Sequence, residues 1–142
     1  MIDFFLNYWQ WLLLAFVILD MLIVLYVIWQ RSQKRLGKLD RRKLARLWQE
    51  ITTMQVKNPR QAILDADKLV DLALSKLGYS GPLGQKLKML PHLFTDNKGL
   101  WKAHLLRNRL AHELEIKLAD REVRQAMDSF YRALKDLGLF RH

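Results

Sequence analysis

Residues 105–115 read LLRNRLAHELE and place Arg107, Asn108 and His112, with His104 just upstream, among leucines at helical spacing. An imidazole can exchange a proton near neutral pH, a guanidinium can hold charge developing on a phosphate, and a carboxamide can orient that group. The set suits acid–base work on a phosphodiester or, short of catalysis, recognition of an anion. At about 100° per residue, Ala103, Leu106, Leu110, Ala111, Leu114 and Leu118 gather on one broad face. Arg107 projects into that face between Leu114 and Leu118, while His104, Asn108 and His112 form the adjoining stripe. Arg109, Glu113 and Lys117 point to solvent.

A guanidinium among leucines is costly unless it is paired or placed at a wet seam. Two partners fit Arg107. One is an acid of the preceding long helix, where Asp65 lies on one flank of the apolar stripe and Asp67 and Asp71 on the other; Asn108 and His112 would then be interhelical hydrogen-bonders. The other is an anionic group such as phosphate, held by Arg107, Asn108 and His112 in a cleft or at a dimer seam.

The elements that must position these residues are helical. After residue 30 no stretch alternates apolar and polar residues for long, and apolar residues recur at three and four. Leu44, Leu47, Trp48, Ile51 and Met54 make one stripe, on a helix that ends before Lys57. Asn58-Pro59 gives a cap and a first-turn proline for a helix running to Gly78. A turn-rich GYSGPLG follows, then a short helix over 85–90 that stops at Pro91. Thr95 or Asp96 caps the helix that carries the motif to about Lys117. Asp120 caps the last, whose Val123, Ala126, Met127, Phe130, Leu134 and Leu137 form a clean stripe ending at Gly138. The fold class is all-α: a single N-terminal transmembrane helix, then an antiparallel bundle of four longer helices plus one short helix. The divisions are 1–30 as anchor, 31–46 as a basic juxtamembrane linker running into the first helix, and 47–142 as the bundle.

The anchor reading rests on residues 8–29, which are nearly all apolar and long enough for a hydrocarbon core of about 30 Å. Tyr8, Trp9 and Trp11 at one end and Tyr26 and Trp29 at the other match interfacial aromatic belts. The opening MIDFF carries an acid where a secretory leader would be basic, so the segment is read as retained. Asp20 lies near the middle of the span, where an acid costs about 2.5–3.5 kcal/mol. It either faces another transmembrane helix or is tolerated because the surrounding Leu, Ile and Val residues outweigh it. The net charge of +10 is concentrated just after the span, where residues 31–46 hold eight basic residues against Asp40. Basic flanks prefer the cytoplasmic side. The expectation is a single-pass protein of the inner or plasma membrane with its N-terminus outside, its C-terminal domain in the cytoplasm, and residues 31–46 against anionic lipid.

Chemistry that needs thiolates is excluded, because the chain has no cysteine. The four histidines, His92, His104, His112 and His142, are not paired with carboxylates at metal-site spacing. No metal and no cofactor are expected. Once the anchor is set aside, the chain has room for one small domain.

RNRLAH fits the R-x4-H form of the R-x4-6-H motif and resembles the HEPN superfamily of small four- or five-helix bundles, with Asn108 at the polar position that commonly follows the arginine. The fuller LWKAHLLRNRLAHE, preceded by AILDADKLVDLAL, is similar to bacterial HEPN-like domains that carry RN-x-x-AH. The motif covers 107–112 and the architecture about 44–140. Active members of that family pair two protomers into a metal-independent RNA endonuclease site. The resemblance then implies His112 as general acid or base for the ribose 2′-hydroxyl, Arg107 as stabiliser of phosphate charge and Asn108 as its orienter. Many toxin-type members extend the motif to H-x-Y, where this chain has Leu114. Other members are non-catalytic binding or dimerisation modules.

Three readings stand. The first is a non-enzymatic HEPN-like module, a homodimer binding RNA, a nucleotide or a protein through His104, Arg107, Asn108 and His112. The second is a membrane-tethered endoribonuclease using Arg107, Asn108 and His112. The third is a structural membrane protein in which the cluster only locks the bundle.

Overall fold

A computed structural model describes residues 2–32 and 35–140. Gln33, Lys34 and His142 lie outside the described residues, as do the side chains of Asp3, Trp29 and Arg31. All regular structure among the described residues is helical, with no strand. The chain divides into two compact units, Met1–Lys34 and Arg35–His142.

The first unit is one helix, α1 (Ile2–Ser32). Its segment Tyr8–Val27 is long and apolar enough to cross a membrane, with a mean hydropathy of 2.3. The side chains of that segment, Asp20 included, are exposed along its whole length. A helix apolar on every side is suited to hydrocarbon, which has no polar groups to segregate.

The second unit holds α2 (Lys38–Gln55), α3 (Pro59–Lys76), the short α4 (Leu83–Met89), a 3₁₀ turn (Pro91–Leu93), α5 (Asn97–His112) and α6 (Asp120–Asp136). The central α3 packs against α2, α5 and α6, α5 also packs on α6, and α4 rests on α5. Each stripe read from the sequence supplies a share of the core: Leu44, Trp48 and Ile51 from α2, Ile63, Val70 and Leu74 from α3, and Phe130 and Leu134 from α6 are buried.

Local chemistry sets the helix ends. Asn58 accepts a hydrogen bond from the Gln61 amide at 3.1 Å, with Pro59 at the first helical position. Gly78, at φ +90°, takes the left-handed turn that ends α3, and Gly138 does the same after α6. Of the two candidate caps for α5, Asp96 fills the role and accepts from the Gly99 amide at 2.8 Å. Thr95 instead donates through its amide and hydroxyl to Asp136, tying the start of α5 to the end of α6. Asp120 is not a cap but the first helical residue of α6, and the Ala119 amide donates to Glu122 at 3.2 Å. Helix α4 begins at Leu83, two residues earlier than expected, because Pro82 already holds the extended N-cap geometry.

The largest difference from the sequence expectation is the end of α5, which stops at His112 rather than running to Lys117. Glu113 turns to extended geometry, and the Arg60 guanidinium, reaching across from the first turn of α3, donates to the carbonyls of Leu110, Glu113 and Leu114. These are oxygens that the next helical turn would have bonded, and a charged donor satisfies them instead. Beyond this point Ile116 and Leu118 pack against the core while Leu114 is 92% exposed. Ala111 and Leu114 therefore leave the core face on which helical phase would have placed them, whereas Ala103, Leu106 and Leu110 remain buried there.

Two substitutions test these contacts in denaturant unfolding of the full chain in detergent. Arg60→Ala is expected to cost about 2 kcal/mol, with faster amide exchange at the end of α5. A Cβ added at Gly99 would overlap the Asp96 carboxylate and lie 2.8 Å from Ser129 Oγ. Gly99→Ala is thus expected to cost about 1–3 kcal/mol, while Gly37→Ala, whose new Cβ would meet only Asp40 at 3.7 Å, stays near wild type. Comparable losses at both glycines would refute the packing account.

Candidate functional site

The site is built outward from one carboxylate. On α3, Asp67 follows the fully buried Ala66 and is itself only 3% exposed, on the side that meets α5. Its Oδ1 lies 2.8 Å from His104 Nδ1 and its Oδ2 lies 3.3 Å from Arg107 Nε. His104 and Arg107 are three residues apart on α5, a spacing that puts both on the same side of a helix. One carboxylate thereby receives two groups from the neighbouring helix.

Asn108 closes the arrangement. Arg107 Nη1 donates to Asn108 Oδ1 at 3.0 Å, and Asn108 Nδ2 stands 3.4 Å from His104 Nε2. With Nδ1–H directed at Asp67, Nε2 is the acceptor that the amide can address. Asp67, His104, Asn108 and Arg107 form a continuous polar ring at the α3–α5 seam. Its loosest link is the Arg107 Nε–H, which is buried and close to Asp67 but off the hydrogen-bond direction, so that contact is one of charge.

The surroundings separate the two basic members. His104 is buried, its ring is 5.8 Å from that of Trp101, and Gly84 covers its Nε2 so closely that a Cβ there would sit 3.4 Å away. Arg107 keeps 29% of its side chain exposed. It borders a groove of about 560 Å³, lined also by Lys68, Lys88, Trp101 and Asn108, in which Lys88 Nζ stands 5.7 Å over the Trp101 ring. A larger groove of about 680 Å³ runs between α5 and α6, and none of the ring residues lines it.

His112 does not join the ring. It is exposed at the last position of α5 and has no hydrogen bond or ion pair among the described residues. Five residues beyond Arg107, it lies about 7.5 Å further along the helix and about 140° around it. Within one chain, the expected triad of Arg107, Asn108 and His112 is therefore split. Arg107 and Asn108 belong to a ring with His104, and His112 stands apart. Asn108 and His112 are not interhelical hydrogen-bonders; that role falls to His104.

Of the three acids that could have met Arg107, Asp67 does so. Asp65 pairs with Lys68 and accepts from Gln61, and Asp71 meets Lys86 at 2.7 Å. Lys86, 3% exposed and also donating to Ser75, is a buried cation that sequence reasoning missed. It sits in the short α4, where Leu83 and Leu87 carry the apolar signal and a lysine between them reads as solvated. Arg60 was missed for a similar reason, since its partners are carbonyls some fifty residues away. Among the described residues, no three His, Asp or Glu side chains gather as a metal site requires.

Compared with models of known families, with curated proteins and with solved structures, the chain matches none.

Removing one member of a buried charged cluster leaves the others uncompensated. Asp67→Ala is expected to lower the unfolding free energy by about 3 kcal/mol, whereas Asp65→Ala, which loses the pair with Lys68 and the hydrogen bond from Gln61, both within α3, costs only about 1 kcal/mol. Unfolding in urea at neutral pH measures both. Equal losses would show that Asp67 is not the residue holding the seam.

Proposed function

We infer that the chain is a membrane-anchored, HEPN-like module that binds rather than cuts. The α5 surface around Arg107, Asn108 and His112 takes an RNA, a nucleotide or a partner protein, and the module works as a homodimer. In this reading the helices of the second unit form an antiparallel bundle, α1 is the anchor, the N-terminus is outside and the folded unit is cytoplasmic. The motif RN-x-x-AH on α5, the contacts of α3 with three other helices and the basic residues after α1 support it.

One observation favours binding over catalysis. Asp67 already engages both His104 and Arg107, and His112 points elsewhere, so no single protomer brings a free imidazole and a free guanidinium to one point. Arg107 still exposes part of its side chain, which leaves it able to add a charge-assisted contact to an anion. The second reading is the metal-independent endoribonuclease. It is favoured by the accessibility of His112 and Arg107 to a second copy, which would have to complete each site.

Full chain in detergent, mixed with labelled single-stranded RNA in EDTA, tests both readings by anisotropy and by gel. Binding without shortening of the RNA is expected. His112→Ala should weaken it severalfold at unchanged melting temperature, because that side chain is exposed. Cutting that disappears in His112→Ala would replace the binding module with the nuclease. Absence of binding to RNA, nucleotides or a second copy would leave the cluster as a structural lock.

A further inference from the structure

A strongly basic surface of the second unit lies away from the polar ring, on α2. Arg35 precedes this helix, and Lys38, Arg42, Lys43 and Arg46 are exposed along it. At about 100° per residue, the four helical cations fall within an arc of about 140°. The centre of that arc is roughly opposite Leu44, Trp48 and Ile51, the α2 residues buried in the core. None of the four has an ion-pair partner among the described residues, and Asp40, the acid of this stretch, is turned to Lys76 at 3.3 Å. Glu50, further along, is an exposed acid inside the same arc, one turn beyond Arg46. Within the basic arc sits Leu39, 81% exposed.

A solvated charged face has no need of a large apolar side chain at its centre, whereas a face lying on lipid headgroups does. Cations meet phosphates at the surface and an apolar side chain enters the acyl boundary. The covalent chain adds a second constraint. Five residues, 33–37, separate Ser32 from Lys38, so these two positions are at most about 20 Å apart. When α1 spans a bilayer, the first turn of α2 is confined to the neighbourhood of the headgroups.

We propose that the exposed face of α2, formed by Lys38, Leu39, Arg42, Lys43 and Arg46, docks flat on an anionic bilayer with Leu39 inserted. This surface is distinct from the α5 surface, and the proposal rests on the reading of α1 as a membrane anchor. Docking fixes which face of the second unit meets the membrane.

Because the chain has no cysteine, a single thiol reports the contact cleanly. Full-length Leu39→Cys is reconstituted in nanodiscs of phosphatidylcholine alone or with phosphatidylglycerol, and its labelling by a water-soluble maleimide is timed. Leu114→Cys, at a position 92% exposed on the loop after α5, is the control. Labelling at position 39 is expected to slow about tenfold in the anionic discs relative to the neutral ones, with position 114 unchanged. High salt, or Arg42→Gln with Lys43→Gln and Arg46→Gln, restores the fast rate. Since high salt needs no further substitution, that arm does not depend on the folding of the triple variant. Equal rates in the two discs, with the chain retained on alkaline extraction of vesicles, overturn the docking face and leave the anchor standing. Extraction of the chain overturns the anchor and the docking face together. Protection by single-stranded RNA in neutral discs, without protection by phosphatidylglycerol, overturns the lipid partner in favour of nucleic acid.

Discussion

A buried carboxylate, Asp67, determines how the third and fifth helices meet. With almost no access to water, it requires compensating partners, and both come from α5: His104 Nδ1 at 2.8 Å and Arg107 Nε at 3.3 Å. Sliding α5 by one residue relative to α3 would take both away. The contact therefore sets register as well as contributing energy, a service that apolar packing alone performs less strictly. Asn108 completes the ring by joining the two basic residues to each other, so that three polar side chains on α5 are oriented by one acid on α3.

The same two helices are joined a second time at the C-terminal end of α5. Arg60 collects carbonyls that the last turn leaves unsatisfied, and the chain is released to run extended past Glu113. One consequence reaches the motif. His112 becomes the final helical residue, exposed beside a non-helical segment, instead of lying in the middle of a longer helix. Helical spacing separates Arg107 from His112; the Asp67 ring engages the first at the seam, and the Arg60 clamp leaves the second at an exposed helix end. This separation is why a binding role is preferred to a complete catalytic centre within one chain.

Away from that seam, charge is distributed by element rather than spread evenly. The acids of α3 are each engaged, by Lys68, by the ring and by Lys86, and Asp40 is taken up by Lys76. Lys38, Arg42, Lys43 and Arg46 on α2 have no such partners among the described residues. The positive surface is therefore a property of one helix face, following the apolar α1 in sequence, and the proposed docking on anionic lipid draws on both.

What the sequence determined by itself were the features carried by local chemistry. Helical periodicity gave the buried stripes of α2, α3 and α6, Asn58-Pro59 gave a helix start, Thr95-Asp96 narrowed another to two candidates, Gly78 and Gly138 gave helix ends, and a nearly all-apolar run marked α1. Each depends on neighbours within a few residues, which is the range over which sequence pattern reports structure. The motif at 107–112 was legible as a polar set on a helix, and an aspartate of α3 was legible as one of two fits for Arg107. Tertiary structure decided the rest. It chose Asp67 among three acids, recruited His104 in place of His112, ended α5 with a guanidinium from fifty residues upstream and buried Lys86 against Asp71 and Ser75. These outcomes depend on which side chains from distant segments reach one another, and a polar group takes its role from the partner it finds once water has been excluded.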